Sequence, residues 1–356
     1  MSPSASSERS GAEGRVRATI VGSLPKPSWL SAPGMLYAPW RIGPDSLAEA
    51  QRDATQLAVA DQLSAGLDVV TDGEQCRRHY VWGFFDTIEG VDTLNLAMKM
   101  TRGGRFKRES PAARLLTEYP AYTGPSRGVD AIRMVRQMTE LPIKATLPGP
   151  MTVADSLADE AADRSRRELA MLFADFLNRE ARAMVAAGAS IVQFDEPCFN
   201  IYVDDVRDWG IAALEQAIDG LEATTAVHIC YGYGAEEVAT WKANNRDWGH
   251  YEITLPLVAR TAIDQVSIET AASKVDIGVV ELLAGKDVLL GVVDVGSETV
   301  ETPAMIAERL RAALAYVPRH RLFACTDCGL VMRSRAAARG KMRSLVEGAA
   351  IVNAEA

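Results

Sequence analysis

One histidine and two cysteines, set far apart along the chain, offer the most chemistry. In Ala226, Val227, His228, Ile229, Cys230 and Tyr231 a short apolar run ends with a histidine and a cysteine two positions apart. Residues i and i+2 of a strand point to the same side, so an imidazole and a thiol are presented together. That is half of a zinc site. The plainer reading is a hydrogen-bonded core histidine beside a small buried hydrophobe. Near the C-terminus, Cys325 and Cys328 frame a C-x-x-C. This spacing also suits a redox pair or half a zinc ribbon, although no Trp-Cys-Gly-Pro-like context surrounds it.

The elements that must position these groups follow from the apolar pattern. Residues 17–21 read as a strand broken by Gly22, Pro25 and Pro27, and residues 45–66 as a helix stopped by Gly66. A second buried strand is expected at 68–71, then further strands at 142–146, 191–194, 225–229, 265–268, 288–293 and 322–324, with helical spacing between them. Strands alternating with helices imply a parallel sheet covered by helices. About eight such units predict an α/β fold, a single (β/α)8 barrel over 16–356, with 1–15 as a disordered tail. Residues 87–127 are less regular and read as an insertion after the second strand, a hairpin or lid. No Gly-x-Gly-x-x-Gly follows the first strand, which counts against an open doubly wound sheet.

Such a barrel carries its site at the C-terminal strand ends. The residues just beyond each strand are Ser23, Asp72 with Glu74, Pro148, Asp195 with Glu196, His228 with Cys230, Glu269, Asp294 and Cys328. Metal-capable groups therefore collect on one rim. His228, Cys230, Glu269 and Cys328 are the candidate zinc ligands. Two thiolates and a carboxylate make that shell strongly anionic, a poor generator of hydroxide but a good holder of a substrate thiolate. The expected reaction is alkyl transfer to sulfur. Asp195, Glu74 and Asp294 are the candidate catalytic carboxylates. Asp195 and Glu74 suit general acid and base work or, beside a thiolate, capture of a substrate ammonium group. The plainer readings are Asp195 as a helix cap and Glu74 paired with Arg77 or Arg78 in solvent. Cys198 reads as structural, His79, near the second rim loop, could touch substrate but reads more plainly as a solvated histidine, and His250 and His320 read as surface residues.

Composition narrows the class. The 356 residues are 48% hydrophobic and 24% charged, which is ordinary for a globular enzyme. With 38 basic and 47 acidic residues the net charge is −9, and no dense basic block suits nucleic acid. No apolar run is long enough to span a membrane. Five cysteines are too few for a disulfide scaffold of this length and fit a reducing cytoplasm.

The motifs VGSLP at 21–25, TDGE at 71–74, LPGPMT at 147–152, QFDEP at 193–197, VHIC at 227–230, SIET at 267–270 and TDCGL at 326–330 stand in one order. Together they resemble the catalytic barrel of the cobalamin-independent methionine synthase family, in its short stand-alone form. The resemblance implies Zn2+ at His228, Cys230, Glu269 and Cys328. It implies homocysteine held through its amino group by Asp195 and Glu74, with its carboxylate near Ser23 and Glu269 also beside the substrate. The methyl donor is left open between a folate, a methylcorrinoid and another carrier protein. After Asp294 the sequence reads Val295, Gly296 and Ser297, where the family pattern places a histidine. Alkyl transfer to another thiol such as coenzyme M, or a non-catalytic zinc-binding barrel, are the rival functions.

Overall fold

The computed structural model describes residues 14–355, apart from 38, 108 and 234. The expected tail therefore lies almost wholly outside the described residues. Seven parallel strands form one curled sheet in the order Arg17–Ala18, Leu322–Thr326, Asp287–Val293, Gln265–Glu269, Thr224–Ile229, Ile191–Asp195 and Lys144–Pro148. The gap between the two ends of that sheet is filled by residues 68–71. Asp68 N donates to Ala18 O at 2.9 Å on one side, and on the other Val70 N donates to Pro142 O at 3.1 Å and Lys144 N to Val70 O at 2.8 Å. The barrel closes through this segment, so the fold is the expected α/β barrel.

The second strand is nevertheless reduced to a single bridge, Val70 to Ile143. Side chains take over where the ladder is missing. Gln62, on the helix Pro44–Ala65, accepts from Thr71 N at 2.8 Å and donates to Thr71 O at 2.8 Å. The Asp68 carboxylate accepts from Ala18 N, and Thr19 Oγ1 donates to Val69 O. Gln62 is fully buried, so Gln62→Leu leaves two backbone groups without this partner. The expected cost is about 3 kcal/mol of stability, read as a lower urea midpoint at unchanged m-value.

Local signals explain the remaining boundaries. Pro44 opens the first long helix, and Gly66 closes it in the left-handed region at φ 83°. Helix Arg166–Ala186 begins at a capping box made by Ser165 and Glu168. Strands such as Ile191–Asp195 and Gln265–Glu269 are buried along their whole length, because helices cover one face and the barrel interior the other. Residues 206–210 form a π-helical turn ahead of Ile211–Ile218, where the periodicity predicts plain helix from 210.

The segment after the second strand holds an antiparallel hairpin, Val91–Met100 with Glu109–Leu115. Its second strand pairs in parallel with Leu157–Asp159, beyond the barrel strand Lys144–Pro148. Arg102 at the turn pins the hairpin to the barrel. It reaches Asp155 at 2.6 Å, Tyr80 Oη at 2.7 Å and Cys198 Sγ at 2.9 Å. Cys198 is accordingly a buried acceptor in the packing between hairpin and barrel.

Candidate functional site

Alternation along the strands decides what faces the interior at the rim. His228 shares its face with Ala226, Asp195 with Gln193 and Ile191, and Glu269 with Ser267. Two rim groups are held from one layer below, one by its own strand and one by the neighbouring strand. Ser267 Oγ lies 2.9 Å from His228 Nδ1, and Gln193 Nε2 donates to Asp195 Oδ1 at 2.8 Å and to Val21 O at 3.1 Å. Neither supporting residue carries a role in the sequence reading, although both stand two positions before a rim group.

His228, Cys230 and Cys328 converge, with one potential ligand atom from each lying within 4.8 Å of the others. The two sulfurs are 3.6 Å apart. Tetrahedral zinc with Zn–S bonds of about 2.3 Å requires a sulfur separation of about 3.8 Å. With Nδ1 taken by Ser267, the buried His228 Nε2 has no close hydrogen-bond partner among the described residues and is left facing the Cys230 sulfur. An imidazole fixed through its other nitrogen is the usual arrangement around a metal-ligating histidine. Charge follows the same geometry. The hydrogen bond from Cys328 leads the causes that hold the Cys230 thiol well below its ordinary range, with His228 adding to it. Burial and the same shared proton push Cys328 up. Burial opposes protonation of His228, but the neighbouring Cys230 outweighs it and the net direction is up. The three groups fit a soft divalent ion.

Glu269, the fourth candidate ligand, stands outside the group whose ligand atoms lie within 4.8 Å of one another. Its Oε1 is paired with Lys242 Nζ at 2.6 Å, and its Oε2 accepts from Tyr231 N at 3.1 Å. Lys242 belongs to helix Glu236–Asn244, and nothing in the sequence pattern marks it as a partner of a strand-end carboxylate. Asp294 also departs from expectation. Its Oδ1 accepts from Gly296 N at 2.6 Å in a local turn, and the residue does not line the cavity described below.

Glu74 and Ser23 sit where the rim reading puts them, and glycines make room for both. Glu74 adopts φ 58°, a conformation rare outside glycine, and its Oε1 accepts from Thr146 Oγ1 at 3.1 Å. A Cβ on Gly22 would stand 2.9 Å from that same Oε1. Glu74 is buried with Arg77 at 3.9 Å, so its setting is the barrel mouth and not solvent. Ser23 Oγ is buried without a hydrogen-bond partner, and a Cβ on Gly329 would come within 2.0 Å of it. Burial first, with Glu74 adding to it and His228 opposing, pushes the Asp195 carboxyl up to about 7.

Asp195, His228, Cys230 and Cys328 line a cavity of about 520 Å3, whereas Glu74 and Ser23 are not among its lining residues. Tyr37, His79, Tyr80, Trp82, Phe106 and Tyr233 supply an aromatic wall. His79 thus faces the cavity, where the plainer reading expects a solvated histidine. His250 is partly buried against Tyr231, where the sequence reading expects a surface residue.

Comparison with known proteins settles the kinship. The model of the cobalamin-independent synthase catalytic domain matches residues 16–351. The chain belongs to this family. A methionine synthase of Saccharolobus solfataricus is 30% identical over 342 residues, covering 95% of each chain. One from Sulfurisphaera tokodaii is 28% identical over 340 residues, covering 95% of this chain and 92% of the relative. A B12-independent methionine synthase from Shewanella sp. W3-18-1, solved in complex with selenomethionine, superposes with a TM-score of 0.92 at 40% identity, covering 96% of this chain and 99% of that one. The family member is a methyltransferase of the methionine synthase-like kind. Among the described residues no helix is long and apolar enough to cross a membrane.

Proposed function

We propose that this methyltransferase moves a methyl group to the thiol of homocysteine, giving methionine, and that it does so with zinc held by His228, Cys230 and Cys328. The observation that carries the reading is the unpartnered His228 Nε2 beside two sulfurs 3.6 Å apart, at the base of a cavity that also holds Asp195. A divalent ion bound there would keep a substrate thiol deprotonated near neutral pH.

The chain's own residues do the rest. Asp195, steadied by Gln193, and Glu74, steadied by Thr146, present two carboxylates to the ammonium group of the substrate. Ser23, whose hydroxyl has no partner within the protein, is positioned to donate to the substrate carboxylate. Held at both ends, the amino acid has its sulfur directed to the cavity base, where the transfer becomes a matter of alignment. The thiol proton is lost to solvent, the new C–S bond forms as the methyl–donor bond breaks, and the donor keeps that electron pair, taking up a proton where its leaving atom is a nitrogen. The aromatic wall excludes water and offers flat surfaces to the methyl carrier, whether a folate, a methylcorrinoid or another carrier.

Metal analysis of the purified protein, with methyl transfer assayed on homocysteine and on coenzyme M, tests the reading. About one zinc per chain and a rate with homocysteine are expected. A rate seen with coenzyme M alone would overturn the substrate assignment, because two carboxylates would face its sulfonate.

A further inference from the structure

Lys242 and a divalent ion make rival claims on one carboxylate. Glu269 is fully buried at its strand end, and its Oε1 is held by Lys242 Nζ at 2.6 Å. The neighbouring Asp327 also attracts that ammonium, but its carboxylate is engaged by the backbone N–H groups of Thr270, Ala271 and Ala272, so Glu269 is the carboxylate in direct contact with it. Lys242 also reaches Gly232 O at 3.4 Å, so it ties the helix Glu236–Asn244 to the loop that follows Cys230. The same helix forms one side of the cavity mouth through Glu236, Glu237 and Val238. Trp241, one position before Lys242, stacks on Tyr231 at 6.0 Å and meets Phe106 of the hairpin turn edge-on at 6.2 Å.

We propose that Lys242 is a latch on Glu269: ion binding draws Glu269 from Lys242 into the coordination shell and thereby loosens the helix that edges the cavity mouth. The inference rests on the zinc site proposed above. Its physical basis is that a buried ammonium robbed of its counter-ion is costly, and the cheapest relief is for its helix to shift and bring the charge to water. Metal loading and access to the cavity would then be coupled through one ion pair. The carboxylate would serve as a fourth ligand that arrives with the ion, which reconciles the four-ligand expectation with a three-residue group.

The test is zinc titration against a chromogenic chelator for the wild-type chain and K242M, each repeated in an E269Q background. Hydrogen exchange over residues 236–244 of the wild type is followed with added zinc and with a chelator. K242M is expected to bind zinc roughly tenfold more tightly, to lose that advantage in the E269Q background, and wild-type exchange over 236–244 is expected to speed up with zinc. Unchanged or weaker affinity in K242M overturns the latch, and so does the same gain in E269Q, which would mark simple charge repulsion. Exchange unaltered or slowed by zinc overturns it without any variant. A wild-type chain that takes up no zinc overturns the metal site itself, and the latch with it.

Discussion

Cys230→Ser is expected to abolish zinc retention and methyl transfer together, and Cys328→Ser to do the same. Each substitution replaces a polarisable thiolate with a hydroxyl that stays protonated near neutral pH and coordinates weakly. The two sulfurs also define the site jointly, since they lie 3.6 Å apart and a proton shared between them holds Cys230 down and Cys328 up. Removing either leaves the other with its ordinary reluctance to ionise when buried. The loss of metal affinity should be at least about 100-fold, more than the loss of a supporting residue outside the coordination shell. Both cysteines are buried and small, and serine is nearly isosteric, so the fold should persist. Circular dichroism and zinc content on the same samples make the check. Full zinc occupancy in either variant would remove that cysteine from the ligand set.

Asp195→Asn is expected to raise KM for homocysteine about 100-fold while zinc stays bound and kcat changes little. Gln193 Nε2 donates to Asp195 Oδ1, so the asparagine carbonyl oxygen will take that place to keep the bond. The amide nitrogen then points where the second carboxylate oxygen had been. An attractive charge for the substrate ammonium becomes a donor facing a donor, in a site where only Glu74 remains to compensate. A buried group costs more to mispair than to lose, so Asp195→Ala, which admits water, should be the milder change. Measuring KM and zinc content together separates this role from metal binding. Loss of zinc in the asparagine variant would mean that Asp195 supports the metal instead of the substrate.

The barrel was legible because its strands are short apolar runs and several of its helices begin at prolines or serines. Gly66 and Ser165 mark boundaries that the structure moves by only a residue or so. The rim was legible for a related reason, since chemistry-bearing side chains at strand ends need no tertiary knowledge to be found. The metal-capable trio and the placement of Glu74, Asp195 and Ser23 all follow from that rule. What it could not reveal were interactions between elements of unrelated pattern. Lys242 lies on a helix of weak amphipathic character, and only the folded chain brings it to Glu269. Asp294 shows the opposite failure: it stands at a strand end, but a local hydrogen bond to Gly296 N competes for its side chain. Arg102 carries the bond between hairpin and barrel, and nothing in the irregular pattern of that insertion marks it out. The second strand reads as apolar and β-branched, yet it reaches only one ladder bridge because Gln62 and Asp68 satisfy its neighbours instead.

That reduced strand gives the cylinder a seam. Everywhere else in the wall a continuous ladder must be undone before the sheet parts, but around Val70 the two banks are stitched by a few backbone bonds and by side-chain clasps. Breathing motions should therefore begin there. The loop carrying Glu74 hangs from the same place, so the wall is most pliable next to the carboxylate expected to greet the incoming amino acid.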